Sequence, residues 1–208
     1  AVVLRPHDAR HVIGEVLPEL RVLEDLGAAG EAAMAALRFC YGALTVMLLM
    51  LCRYAWSADE DGGLALLGVA VAVSGAGFFV AALVTPSAAR RLGAAGWIVA
   101  CAAGAAVLEL ALGLTFAPVP LLAGAFVLGV ATQGAKIATD TIVQASVADD
   151  FRGRIFSVYD VLFNVAFVAA AGVSALLLPA DGKSAGLVVL VALIYGAVAV
   201  LMTRFDRQ

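Results

Sequence analysis

Charge is scarce in this chain. Asp, Glu, Lys and Arg together make up 14% of its 208 residues, against about 25% in a soluble domain of ordinary composition. Apolar residues make up 63%, and the mean hydropathy is +1.03. This composition points to an integral membrane protein of several helices. No basic run occurs and the net charge is −3, so nothing suggests a nucleic-acid footprint.

Chemistry-bearing motifs are scarce as well. The two histidines, His7 and His11, both precede the long apolar stretches. Their i, i+4 spacing suits a metal, but no third ligand is near, and a solvated or headgroup-facing pair is the expectation. Cys40, Cys52 and Cys101 stand singly in apolar surroundings and read as small packing residues. There is no HExxH, no nucleophile elbow and no pair of intramembrane Asp suited to proteolysis. The chain is therefore read as non-enzymatic, with no cofactor and no metal. The first 30 residues lack the apolar core of a signal peptide, and the first residue is Ala1 rather than Met. The expectation is a fragment whose N-terminal part is missing.

What is present is six apolar stretches, each near the roughly 20 residues that cross a bilayer as a helix. They lie near 34–55, 64–85, 94–115, 119–141, 155–178 and 186–203. Helices rather than strands are required, because barrel strands are shorter and alternate, and lipid satisfies no exposed backbone. The expected fold class is an all-α polytopic membrane protein with a six-helix transmembrane domain over 32–208. Residues 1–31 form a leading segment ahead of the spans. Within it, "HVIGEVLPELRVLEDL" places Val12, Val16, Leu20 and Leu23 at helical spacing between Glu15, Glu19 and Glu24, which reads as an amphipathic surface helix.

Basic residues set the orientation. Arg5, Arg10, Arg21, Arg38, Arg90, Arg91, Arg152, Arg154, Arg204 and Arg207 fall on one side, Arg53 and Lys183 on the other, and Lys136 inside a span. Both chain ends are thus expected in the cytosol, with the protein multi-pass in the cell membrane. Trp56 and Trp97 lie near span ends, where interfacial aromatics gather.

The polar residues inside spans need an account, since an ionisable group there costs roughly 2.5–3.5 kcal/mol on insertion scales. In "QGAKIATDTIVQ", Gln133, Lys136, Asp140 and Gln144 fall within about 80° of one another at 100° per residue. Gly129 continues that edge. Span five repeats the device with Ser157, Asp160 and Asn164, extended by Ala171 and Ser174. Two such stripes are expected to line one hydrated cleft, with Lys136 near Asp140, Asp160 or both. Three roles are open to these charges: an ion-pair network at the helix ends, direct contact with a substrate or coupling ion, or snorkelling. Glu109, in "AAVLELALGL", has no polar neighbour on its face. Unpartnered burial favours the uncharged carboxyl, so it is a candidate proton carrier unless a neighbouring backbone or hydroxyl group binds it. Ser74, Gly75 and Gly77 in span two, and Gly124, Gly129 and Gly134 in span four, offer small surfaces for close packing or sliding.

Six spans, a basic loop "TPSAARRLG" after span two, and "DDFRGRIFSVYDVLFN" around the start of span five resemble the C-terminal half of a major facilitator superfamily transporter, of the bacterial drug-exporter-like kind. The first loop keeps Arg90, Arg91 and Gly93 of that family's recurrent motif but lacks its Asp. The resemblance implies two inverted three-helix repeats, residues 1–31 as the end of the cytosolic connector, and a missing N-terminal six-helix half, or a second copy, as partner beside the lipid. It implies alternating access and proton-coupled efflux of a small amphipathic compound. It also implies that Arg90, Arg91, Arg152 and Arg154 join Lys136, Asp140 and Asp160 in a gating charge network, with spans one and four lining the cavity and span three peripheral. Gln133, Lys136 and Asn164 are the substrate-cavity candidates. The competing reading is a non-transporting helical scaffold or assembly subunit.

Overall fold

A computed structural model describes residues 29–57, 59–146 and 149–205, without the side chains of residues 146, 149–156, 158, 159 and 205. Residues 1–28, with the expected amphipathic helix, His7 and His11, lie outside the described residues.

Among the described residues six helices follow one another: α1 (Ala29–Ala55), α2 (Glu60–Leu92), α3 (Ala94–Gly113), α4 (Pro118–Ser146), α5 (Asp149–Leu177) and α6 (Ala185–Phe205). All six are long and apolar enough to cross a membrane, and no strand occurs among the described residues. The last turn of α1, Leu51–Ala55, widens into a π-helical turn.

Local chemistry explains the ends. Asp59 caps α2, its carboxylate accepting from the Gly62 N–H at 2.9 Å, and Glu60 and Asp61 meet the positive end of the helix dipole. Arg90 and Arg91 occupy its last turn, where cations are favoured. Gly93, at φ 77°, ends α2, and α3 begins at the next residue. The segment expected as a loop is thus mostly helix: "TPSAARRL" forms the last two turns of α2, with Pro86 inside the helix. No residue before Gly93 interrupts the backbone hydrogen bonding strongly enough to stop it. In the same way α4 runs on to Ser146 and α5 starts at Asp149, so the expected link between spans four and five shrinks.

Packing between helices relies on small residues, because lipid tails are as apolar as any side chain and give helices no hydrophobic reason to associate. The crossing of α2 and α4 is the closest. A β-carbon on Gly77 would collide with the Phe126 carbonyl oxygen, and one on Gly129 with the Ser74 carbonyl oxygen. Gly113 of α3 lies against Val188 of α6, and Gly42 of α1 against the Phe167 carbonyl of α5. The core combines Met34, Leu37, Cys40, Leu44 and Met47 of α1 with Ile98 and Ala102 of α3, Leu128 and Ala135 of α4, and Val191 and Tyr195 of α6. At one end the short connections meet. The Trp56 indole N–H donates to the Phe116 carbonyl at 3.0 Å, and Gly182, at φ 73°, sits against Met50.

The expected interfacial role holds poorly for Trp97. Its indole donates to the Thr85 hydroxyl at 3.1 Å, across α2 and α3, and lies against Gly134 of α4. Its N–H is spent on a buried threonine rather than on headgroups.

Gly77 and Gly75 supply a controlled comparison, since a β-carbon on Gly75 meets nothing within 4 Å. Gly77→Ala is expected to destabilise by about 1–3 kcal/mol through overpacking, read as a clear drop in the detergent thermal midpoint of the full-length protein. Gly75→Ala is expected to leave that midpoint unchanged; equal behaviour of the two would contradict the close α2–α4 crossing.

Candidate functional site

Because Gly42 has no side chain, α5 lies directly on α1. One turn before it, Arg38 projects into the rings this approach delivers. Its guanidinium carbon is 4.3 Å from the centroid of Phe163, 4.6 Å from Phe167 and 5.1 Å from Tyr41. Cation–π contacts of this kind contribute about 0.5–2 kcal/mol each way from exposed to desolvated settings, comparable with the cost of placing a cation in a span. Tyr41 also packs against Phe78 of α2 at 5.8 Å and Phe167 at 6.1 Å.

The second cation is Lys136 on α4. Its Nζ lies 3.2 Å from Asp140 Oδ2 and 3.4 Å from Asp140 Oδ1, and 3.9 Å from Asp160 Oδ1 on α5. It also sits 5.4 Å from the Phe163 ring centroid, so Phe163 has Arg38 and Lys136 as neighbours. Arg38 lies roughly 14 Å along α1 from Ala29, and Lys136 roughly 15 Å along α4 from Ser146, at 1.5 Å per residue. The Lys136 and Asp140 side chains are about a quarter exposed, and that of Asp160 is 62% exposed. A partly exposed i, i+4 pair contributes only about 0.3–0.5 kcal/mol in water, and Lys preceding the acid is the weaker order. The contact to Asp160 spans two helices at the limit of ion-pair distance. Such an arrangement is easily exchanged for another.

The remaining candidates separate. Gln133 is half-buried, one turn from Lys136 on the same helix, and Gln144 is exposed. Asn164 is exposed and donates to the Asp160 carbonyl at 2.8 Å. Ser157 and Asp160 are exposed with it, Ala171 is half-buried, and Ser174 is buried. Arg90 donates to Ser87 in its own helix at 3.2 Å, and neither it nor Arg91 pairs with Asp140 or Asp160 here. The side chains of Arg152 and Arg154 lie outside the described residues. Sequence reading placed Arg38 among the orienting charges at the membrane edge and overlooked it as a site residue. The signal for it was an arginine within the first span, and the aromatic pair at i and i+4, Phe163 and Phe167.

Glu109 faces inward. It is 2% exposed, lies against Gly124 of α4, and its Oε1 has no hydrogen-bond partner. The expected backbone or hydroxyl partner for that oxygen is therefore not there. It lines a crevice shared with Tyr41 and Thr45 of α1, Ser74 of α2 and Leu128 of α4. The crevice offers about 50 Å³ to water-sized molecules, room for a few waters at roughly 10–15 Å³ each. The Tyr41 and Ser74 hydroxyls are hydrogen-bonded at 3.0 Å in its wall. The Thr132 and Tyr195 hydroxyls are also buried, and they face each other. No group of three or more His, Cys, Asp or Glu residues suited to a metal occurs among the described residues.

An uncharacterized MFS-type transporter of Mycobacterium bovis and one of Mycobacterium tuberculosis are each 35% identical to this chain over 181 residues. The match covers 87% of this chain and 41% of each relative. The chain is homologous to MFS-type transporters. It spans about two fifths of the length of these relatives, and its six membrane-length helices fit half of an MFS fold. It is a multi-pass membrane protein. No family model matches it, and no solved structure does. Within this bundle, the charged contacts join α4 to α5, and the aromatic contacts join α1 to α5.

Site exposure predicts labelling. Cys40, Cys52 and Cys101 are buried and are expected to stay unreactive. Single cysteines at Asp160 and Asn164 are expected to react with a water-soluble methanethiosulfonate at least ten times faster than cysteines at Ala135 and Ala170. Uniform inaccessibility from either side of the membrane would show that these stripes line no hydrated cleft.

Proposed function

We propose that the chain is the C-terminal six-helix half of a secondary active transporter that works by alternating access and exports a small amphipathic compound in exchange for protons. The observation that carries this reading is Lys136, held between Asp140 on its own helix and Asp160 on the next. An inert bundle has little use for a cation shared between helices inside a span. A transporter has one, since only a contact made in one state and lost in the other shifts the balance between them. On this reading Asp140 and Asp160 gate, with Arg90, Arg91, Arg152 and Arg154 recruited in the closed state, and Gln133, Lys136 and Asn164 face the substrate. The basic side of the bundle is cytosolic, with both termini there in the cell membrane and residues 1–31 as the connector. The opposite wall of the cavity comes from another six-helix half or a second copy.

Glu109 is the proton site of this scheme. Support comes from its buried, unpartnered oxygen beside a crevice large enough for water.

Two measurements test the scheme on the full-length protein in vesicles, using a compound found by a flux screen. Asp140→Asn and Asp160→Asn are each expected to insert normally and to cut gradient-driven flux about ten-fold or more, and full transport by both would remove the gate. Glu109→Gln is expected to keep downhill exchange of the compound but to lose its response to a proton gradient. A retained response would take the proton role away from Glu109.

A further inference from the structure

We infer that the compound this site receives is an organic anion, and that Arg38 is the residue that binds its charged group. The inference names a substrate class for the transporter proposed above and rests on that reading for the word substrate, though not for the binding itself.

The two cations of the site are treated differently by their surroundings. Lys136 has Asp140 at 3.2 Å and Asp160 at 3.9 Å. Arg38 forms no ion pair and no hydrogen bond with any described residue, and its Nε is buried without a partner. What surrounds it is aromatic: Phe163, Phe167 and Tyr41, at 4.3 to 5.1 Å. Ring faces attract the guanidinium charge but accept little from its in-plane N–H donors, of which it has five. The cage therefore holds Arg38 in place and leaves its hydrogen-bonding capacity unused. A guanidinium restrained in this way is prepared for a planar, bidentate acceptor, which is what a carboxylate, phosphate or sulfonate offers.

The position fits a ligand as well. Arg38 is half-buried at about the depth of Lys136, and both cations border Phe163. The nearby carboxylates are engaged elsewhere: Asp140 and Asp160 both reach toward Lys136. A cationic compound would meet Asp160, the most exposed charge of the group, and would compete with Lys136 for it. An anionic compound would meet an arginine with no competitor among the described residues. The alternative occupant is a carboxylate of the protein itself, from the leading segment or from the other half, and it is an outcome of the test.

The test uses the full-length protein in detergent and three naphthalene anions, 1-naphthoate, 1-naphthyl phosphate and 1-naphthalenesulfonate. The matched cation 1-naphthylmethylammonium serves as control, with binding read by isothermal titration. At least one anion is expected to bind ten-fold or more tighter than the cation. Arg38→Gln is expected to lose that preference. Arg38→Lys is expected to keep part of it, since the charge remains but the planar fork is gone. Failure of all three anions to bind, a preference for the cation, or unchanged anion affinity in Arg38→Gln overturns the inference. If Arg38→Gln does not fold, the sign preference of the unmodified protein and the Arg38→Lys titration still decide. Flux in vesicles is read separately. Arg38-dependent anion binding without flux would retain this site and reject the transporter reading; flux without a preference for anions would do the reverse.

Discussion

Contact between helix backbones underlies this structure. Where Gly77 meets the Phe126 carbonyl and Gly129 meets that of Ser74, α2 and α4 approach too closely to admit a β-carbon. In hydrocarbon this matters more than burial of large side chains, since a leucine gains little by exchanging lipid for protein. The same device recurs at Gly113 against Val188 and at Gly42 against Phe167. Each glycine sets a helix spacing, and each spacing decides which side chains one turn away can touch. The cage around Arg38 follows from α5 lying on α1 at Gly42.

The polar groups divide into two kinds by the same constraint. Some are fully used: Trp97 with Thr85, and Tyr41 with Ser74. Others are left incomplete, namely Arg38 Nε and Glu109 Oε1. Lipid offers such groups nothing. A structure that leaves two of them buried and unpartnered in one bundle is spending stability for something other than cohesion. The weak, two-sided pairing of Lys136 belongs with them, because a strong pair would lock one arrangement.

Much of this could be read from the sequence. The six spans follow from composition and length, and the inward edge of α4 follows from the helical spacing of Gln133, Lys136 and Asp140. Helical periodicity also put Asp160 and Asn164 on one face. The failures have physical causes. Periodicity describes one helix at a time, so it could not say that Phe163 and Phe167 would close over Arg38 from another element. A basic residue near a span end looks the same to a charge count whether it faces headgroups or rings, and for that reason Arg38 passed as an orienting charge. Glu109 appears peripheral because the family resemblance places span three at the edge, whereas its burial and its contact with Gly124 turn it inward. The run from Thr85 to Leu92 reads as a loop because of its proline and charges, although Gly93 is the residue whose backbone dihedrals end the helix.

Tyr41 connects the two incomplete regions. Its ring forms one wall of the Arg38 cage, and its hydroxyl, held by Ser74, lines the crevice that Glu109 borders. These are opposite ends of a single rigid side chain with two rotatable bonds. A rotamer change at Tyr41 cannot enlarge the crevice without also altering the cage. The two regions thus share one moving part, and a message between them would need to travel no further than the width of a phenol ring.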